Sequence, residues 1–247
     1  MPARSAQTTG KAPAPRKRRL PPGARARAPI VVERLKREYG DAHTELAFAT
    51  PWQLLVSVIL SAQTTDVNVN SVTPVLFARY PTPQDLASAG TEDVEAIIRK
   101  TGFFHSKARA IIEMSQDLVR HHGGEVPSRM EDLVKLRGVG RKTANVVLGV
   151  AFGVPGFAVD THVTRLTRLL RLTYATDPVK IEEDVCSIVP EAEWTNLSLR
   201  LILHGRRVCI ARRPRCPECV LADICPSANL GLLPASRAKR QPSRTDR

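Results

Sequence analysis

The sequence predicts an all-α fold, and three observations carry that prediction. Apolar residues recur at helical spacing in one segment after another. Segments open on capping residues or proline and close on glycine. No run alternates polar and apolar side chains at the two-residue period of a strand.

Residues 1–29 are rich in Pro, Ala, Arg and Lys without apolar periodicity, which predicts a disordered basic tail. An organelle transit peptide would also be Arg-rich and acid-free, but this stretch lacks an amphipathic apolar face. From Ile30 the chain reads as successive short helices. Residues 51–61, PWQLLVSVILS, are apolar on nearly every side, as in a helix buried at the middle of a bundle. Gln63-Thr64-Thr65-Asp66 follows. It would line a cleft, or serve as a plain connection with a Thr or Asp cap. Thr82-Pro83 ahead of Asp85 and Leu86 is a capped start with proline in the first turn. Thr91 opens a helix bearing Val94, Ile97 and Ile98, closed by Gly102. Residues 106–122 place Ala108, Ile111, Ile112 and Leu118 on one face, closed by Gly123-Gly124. Ser128 with Glu131 predicts a capping box ahead of Leu133 and Leu136. Asp177-Pro178 starts another helix, carrying Ile181, Val185 and Ile188.

At 247 residues the chain can form one large domain or two small ones. No apolar run approaches the ~20 residues that span a bilayer, and the N-terminus lacks a secretory apolar region. These features predict no membrane partner and a cytoplasmic location, on the nucleoid if the cell is bacterial. The formal charge is +13, but residues 1–29 carry eight Lys/Arg and no acid. Residues 234–247 carry five Lys/Arg against one Asp, which leaves +1 for residues 30–233. Basic tails favour a polyanion through counterion release, or merely solvate the chain. A nucleic-acid face in the body must come from local clustering.

That clustering centres on residues 133–162. Gly138 and Gly140 flank Val139, so the backbone can take positive φ and approach a ligand closely. A helix begins directly after, and its free N–H groups and positive dipole end form an anion site suited to phosphate. Lys142 lies in the first turn among Ala144, Val146, Val147, Leu148 and Val150. Both the dipole and any desolvation there favour its free amine. Residues 156–170 then place Asp160 or Thr161 at a helix N-cap. A cap carboxylate can double as a base if a cleft opens onto it.

Four of the five cysteines fall within seventeen residues, as Cys209-x6-Cys216-x2-Cys219-x5-Cys225. With no secretion signal, metal ligation is favoured over disulfides. Four thiolates hold either tetrahedral zinc or an iron–sulfur cluster, and the spacing alone leaves both open. Arg212, Arg213 and Arg215 project from the stiffened loop in a geometry suited to phosphates. Cys186 stands apart, as a small buried hydrophobe.

Together these stretches resemble the endonuclease III family of DNA repair glycosylases over roughly residues 30–227. The carriers are LSAQTTD (60–66), GVGRKTANVVL (138–148), AVDTHV (158–163), LILHGR (201–206) and the four cysteines. The resemblance implies a helix-hairpin-helix fold. A six-helix barrel would come from residues 51–155, with the hairpin near 133–152. Residues 30–50 and 156–227 would form a second domain. There Cys209, Cys216, Cys219 and Cys225 would hold a [4Fe-4S] cluster. A basic tail, 228–247, follows. Double-stranded DNA carrying oxidised pyrimidines or abasic sites would lie in the cleft between the domains, bound by a monomer.

The resemblance also implies roles. Lys142 matches the catalytic lysine and Asp160 the catalytic aspartate. Gln63 matches the residue that fills the gap left by the extruded base, and Phe103 sits where the family inserts an apolar wedge. Arg137, Gly138, Val139, Gly140, Arg141, His162, Arg212, Arg213 and Arg215 complete the expected DNA contacts. The chain departs from the family pattern at Leu136-Arg137-Gly138, usually Leu-Pro-Gly. It departs again at Gly102-Phe103-Phe104-His105, usually a Gly-Leu-Tyr-Asn type. An adenine-specific mismatch glycosylase is the rival within the fold, but it needs a glutamate at Val58 and lacks the lysine at Lys142. A non-catalytic DNA-binding protein would need neither Lys142 nor Asp160. A zinc-stabilised scaffold would need only the cysteines.

Overall fold

The computed structural model describes residues 19–228, and every regular element among them is helical. Most of the expected N-terminal tail, and all of the expected C-terminal tail except residue 228, lie outside the described residues.

Order begins earlier than Ile30, which corrects the predicted tail boundary. Helix α1 runs Ala24–Tyr39, so residues 24–29 are helical. Ala24, Ala28, Val31, Val32 and Leu35 form its buried face, a helical spacing that continues upstream into alanine. Alanine is only weakly apolar, and Pro29 interrupts the pattern, so composition concealed the turn. Arg27 anchors it, donating from Nε to Ile224 O (3.2 Å) and from Nη1 to Leu170 O (3.0 Å).

The first apolar core forms around α2 (Pro51–Leu60). Thr50 caps it by accepting from the Gln53 amide, Pro51 takes the first turn, and every residue from Leu54 to Leu60 is buried. Each fully buried aliphatic side chain there contributes roughly 1.5–3 kcal/mol. Around α2 pack α3 (Asp66–Arg79), α4 (Pro83–Ala87), α5 (Thr91–Ile98), α6 (Phe104–His122), α7 (Met130–Leu133) and α8 (Arg141–Ala151). The Thr82–Asp85 capping box of α4 forms as the sequence predicts. The box predicted from Ser128 and Glu131 does not. Helix α7 is capped at Arg129 without a side-chain bond, so Asp132 takes the third position and pairs with Lys135 at 3.1 Å.

The second core joins α1 to α9 (Thr161–Leu169), α10 (Pro178–Cys186), α11 (Trp194–Arg207) and Leu221. Its centre includes Leu35, Phe157, Val163, Leu197 and Leu201. Helix α11 touches α1, α9 and α8, so it binds the two cores together. Gly149 makes the α8 contact: a Cβ there would lie 2.5 Å from Thr195 Oγ1. Arg200, on the inner face of α11, is fully buried. Its guanidinium donates to Glu193 Oε2 (2.7 Å) and Gly40 O (2.8 Å), which offsets the desolvation of its charge.

Candidate functional site

The hairpin between α7 and α8 has two glycines with different tasks. Gly138 sits at φ 76°, the left-handed region, and a Cβ on it would come within 3.1 Å of Ala110 Cβ. That close approach seats the hairpin on α2 and α6. Gly140 is extended (φ −90°, ψ 173°), caps α8 without a side chain, and has open space where a Cβ would stand. A ligand can therefore reach the free first-turn N–H groups of α8, the expected anion site. Val139 does not serve as a contact through its side chain, which is 5% exposed and packs into the first core. The flanking arginines are tied by carboxylates. Arg141 forms a two-pronged pair with Glu182 of α10 (2.8 and 2.9 Å), and Arg137 pairs with Glu113 at 3.2 Å.

Beside the hairpin opens a cleft of ≈ 580 Å³. It is lined by Gln63, Lys142, Asp160 and His162, with Val58, Asp66 and Arg206 among its other walls. Three separate segments thus bring the matched residues to one place: the loop after α2, the first turn of α8 and the start of α9. Lys142 is exposed, so the apolar face of α8 does not bury it in the protein alone, and it makes no hydrogen bond or ion pair among the described residues. Asp160 is the N-cap of α9, and its Oδ1 accepts from the Val163 amide at 2.8 Å. The carboxylate is therefore both a cap and a wall of the cleft. Gln63 holds a left-handed φ of 54°, a conformation that costs a non-glycine residue about 1–3 kcal/mol and tends to mark working sites. Val58, where the mismatch-specific rival needs a glutamate, presents only its isopropyl group to the cleft.

His162 lies half-buried against Gly205, where a Cβ would fall 2.8 Å from its Nδ1. Burial pushes its pKa below the ordinary histidine value. Asp160 opposes that shift, while Arg165 and Arg206 reinforce it. A neutral imidazole accordingly faces the cleft at physiological pH. Arg206 was legible only as the last residue of the LILHGR motif, yet its Nη1 donates to Glu45 Oε2 (2.7 Å) and Asp66 Oδ2 (3.0 Å) inside the cleft. Burial works against its charge, but the Asp66 hydrogen bond and the charges of Asp66, Glu45 and Asp160 outweigh that and raise its pKa. Asp66 had a signal, since it closes the LSAQTTD motif, but it was legible only as part of a helix start. Glu45 had none, because folding alone brings it back over the cleft.

Phe103 is not part of the cleft lining. It sits just before α6, 66% exposed and at a left-handed φ of 49°. Arg212 and Arg213 are exposed on the cysteine loop, and Arg215 lies 3.7 Å from Glu218.

The four sulfurs of Cys209, Cys216, Cys219 and Cys225 line one cavity of ≈ 370 Å³ whose other walls include Leu169, Ile210, Pro214 and Ala222. Four cysteine thiols on one largely apolar cavity are a donor set that an iron–sulfur cluster takes. Burial holds the pKa of Cys209, Cys219 and Cys225 above the ordinary thiol value, so the charge of a bound metal is what favours their thiolates. The Nε2 of His204 lies 3.3 Å from Cys219 Sγ, and its Nδ1 lies 2.9 Å from Tyr39 Oη. Cys186 stays apart, as expected, and burial pushes its pKa up to about 12.

Residues 56–191 match the family model described as HhH-GPD superfamily base excision DNA repair protein, and residues 209–225 match the iron-sulfur binding domain of endonuclease III. Fold and cleft together define a helix-hairpin-helix base excision DNA repair protein. Endonuclease III of Synechocystis sp. is 51% identical over 203 residues, covering 82% of this chain and 93% of that one. Endonuclease III of Escherichia coli (strain K12) is 42% identical over 195 residues, 79% of this chain and 92% of that one. The solved structure of a non-covalent endonuclease III–DNA complex aligns with a TM-score of 0.79 at 40% identity, covering 83% of this chain and 96% of that one. A trapped endonuclease III–DNA covalent intermediate aligns equally well. The chain belongs to the endonuclease III family. It is a DNA glycosylase and abasic-site lyase of base excision repair, its cofactor is a [4Fe-4S] cluster, and its partner is DNA. None of the described helices is long and apolar enough to cross a membrane.

Proposed function

We propose that this protein removes oxidised pyrimidines of the thymine glycol type from duplex DNA and then cleaves the strand through a lysine Schiff base. The observation that carries the reading is the convergence of Lys142 and Asp160 on one cleft beside an open helix N-terminus. The target nucleotide is extruded, because its sugar cannot be reached inside the stack. Gln63 fills the vacated space and Phe103 wedges the neighbouring step. Backbone amides of the Gly140–Arg141 turn and the first turn of α8 grip a phosphate of the same strand.

The Lys142 amine attacks the sugar C1′, and the base leaves with the electron pair of its bond. Asp160 accepts the proton of the attacking amine, or balances positive charge developing on the sugar. The sugar ring opens to a Schiff base, which acidifies the C2′ proton. Loss of that proton expels the 3′ phosphate by β-elimination, and water then frees the enzyme. The Arg206–Glu45–Asp66 group shapes the wall against which the flipped base rests. The cysteines hold the cluster, which stiffens the loop that presents Arg212, Arg213 and Arg215 to the backbone. On this reading the protein acts as a monomer in the cytoplasm, on the nucleoid if the cell is bacterial.

The test is a borohydride trap. Wild-type protein with a duplex carrying thymine glycol or an abasic site should give a covalent adduct, and Lys142→Gln should give none. No wild-type adduct on either substrate overturns the lyase mechanism.

A further inference from the structure

Lys107 is a buried charge that the proposed reaction does not use. It lies in the second turn of α6 and is only 5% exposed. Its Nζ donates to the Thr101 carbonyl at 2.7 Å, and no ion pair is formed with it among the described residues. An ammonium buried without a carboxylate is expensive, and the nearby positive end of α6 adds to the cost. Burial indeed pushes its pKa below the ordinary lysine value.

Its position explains what that cost maintains. The two residues between its contacts are Gly102 and Phe103, both at positive φ (67° and 49°). Lys107 holds the carbonyls on either side of the Gly102 turn: Thr101 O through Nζ, and Phe103 O through its own amide at 3.1 Å. Thr101 is itself 1% exposed, and its hydroxyl donates to Ile98 O at 2.8 Å. The Ser106 hydroxyl adds a second bond to Phe103 O at 2.9 Å. A left-handed phenylalanine costs about 1–3 kcal/mol and persists only where its surroundings over-determine it. The same clamp leaves the ring 66% exposed at the tip of the turn.

We infer that Lys107 is a positioning residue that locks the Gly102–Phe103 turn so that the Phe103 ring is presented, already rigid, for insertion into the base stack. This rests on the reading of Phe103 as the wedge. Lys107 touches no DNA. It acts by removing the freedom that a loose turn would lose on insertion, since a small misplacement of a positioning group costs up to ~100-fold in rate.

The experiment compares Lys107→Met, Phe103→Ala and the double variant in the full-length protein. Lys107→Met removes the donor at nearly constant shape. Base extrusion is followed by stopped-flow fluorescence of 2-aminopurine beside thymine glycol, with single-turnover cleavage measured in parallel. Extrusion should slow on the order of tenfold or more in Phe103→Ala and in Lys107→Met. The double variant should be no slower than Phe103→Ala alone, because Lys107 acts only through that ring. Additive losses, or wild-type extrusion in Lys107→Met beside a slow Phe103→Ala, overturn the inference alone. Wild-type extrusion in Phe103→Ala overturns the wedge reading and the inference with it. If Lys107→Met does not fold, Gly102→Ala takes its place. A Cβ at Gly102 meets nothing within 4 Å but is strained by the φ of 67°, so it disturbs the turn without a clash. Slow extrusion there supports the lock, and wild-type extrusion overturns it.

Discussion

Asp160→Asn separates the two tasks of one carboxylate. Asp160 Oδ1 accepts from the Val163 amide at 2.8 Å, and the residue also lines the cleft with Lys142. Asparagine keeps a side-chain oxygen in the same place and is as good an N-cap as aspartate. The cap of α9 should therefore survive, with stability changed by roughly 0.5 kcal/mol or less. The charge is lost outright. General-base assistance contributes about 10²–10⁴-fold, which is about 2.7–5.5 kcal/mol at ~1.36 kcal/mol per tenfold. Asp160→Ala loses the cap as well and should cost about 1 kcal/mol in stability, with a similar kinetic loss. Three assays decide it: single-turnover cleavage of a thymine glycol duplex, equilibrium DNA binding and thermal melting. Turnover of Asp160→Asn should fall while binding and melting stay close to wild type. Wild-type turnover in this variant would refute the catalytic role. A melting drop large enough to account for the lost turnover would reduce Asp160 to a cap.

Three further outcomes follow from the packing. Glu193→Gln removes the nearer carboxylate of the buried Arg200 guanidinium, leaving Asp41 at 3.9 Å, and should cost up to about 3 kcal/mol in urea unfolding. Burial acts to raise the pKa of Glu193, but hydrogen bonds from Arg200 and Lys36 outweigh it and lower the folded-state value. Its stabilisation should thus be complete above the ordinary carboxylate range and fade as pH falls through the depressed folded value, a dependence that Glu193→Gln should lack. Gly149→Ala forces a Cβ to within 2.5 Å of Thr195 Oγ1 and should lose about 1–3 kcal/mol where α8 meets α11, with turnover falling as Lys142 and Asp160 shift apart. Cys219→Ala removes one of four sulfurs from the cavity, so the brown colour and the absorbance near roughly 400 nm that mark iron–sulfur clusters should fall together with DNA affinity. Unchanged absorbance in that variant would exclude Cys219 as a ligand.

Much of the site could be read before folding because its residues sit at signals that are local. Lys142 follows a glycine hairpin, Asp160 heads a helix, and the cysteines keep a spacing of their own. What failed was also local in cause. Ser128 and Glu131 had the spacing of a capping box, but α7 starts one residue later than that pattern requires. The buried face of α1 extended through alanines in a stretch whose composition suggested a tail.

Legible from the sequence alone were the helical class, most of the helix starts, the four thiols that gather, and a lysine and an aspartate at two helix beginnings. Those are properties of a few neighbouring residues. Tertiary structure decided which of these positions share a space. Gln63, Lys142, Asp160 and Arg206 are far apart in the chain and meet only because α2 is buried centrally and α11 binds the two cores together. It also decided that Arg141 reaches Glu182, that Glu45 and Asp66 hold Arg206, and that Lys107 clamps the turn before α6. The reason is physical: caps, turns and periodicity act over a few residues, whereas a cleft and its ion pairs are set by how long-range packing brings distant elements together.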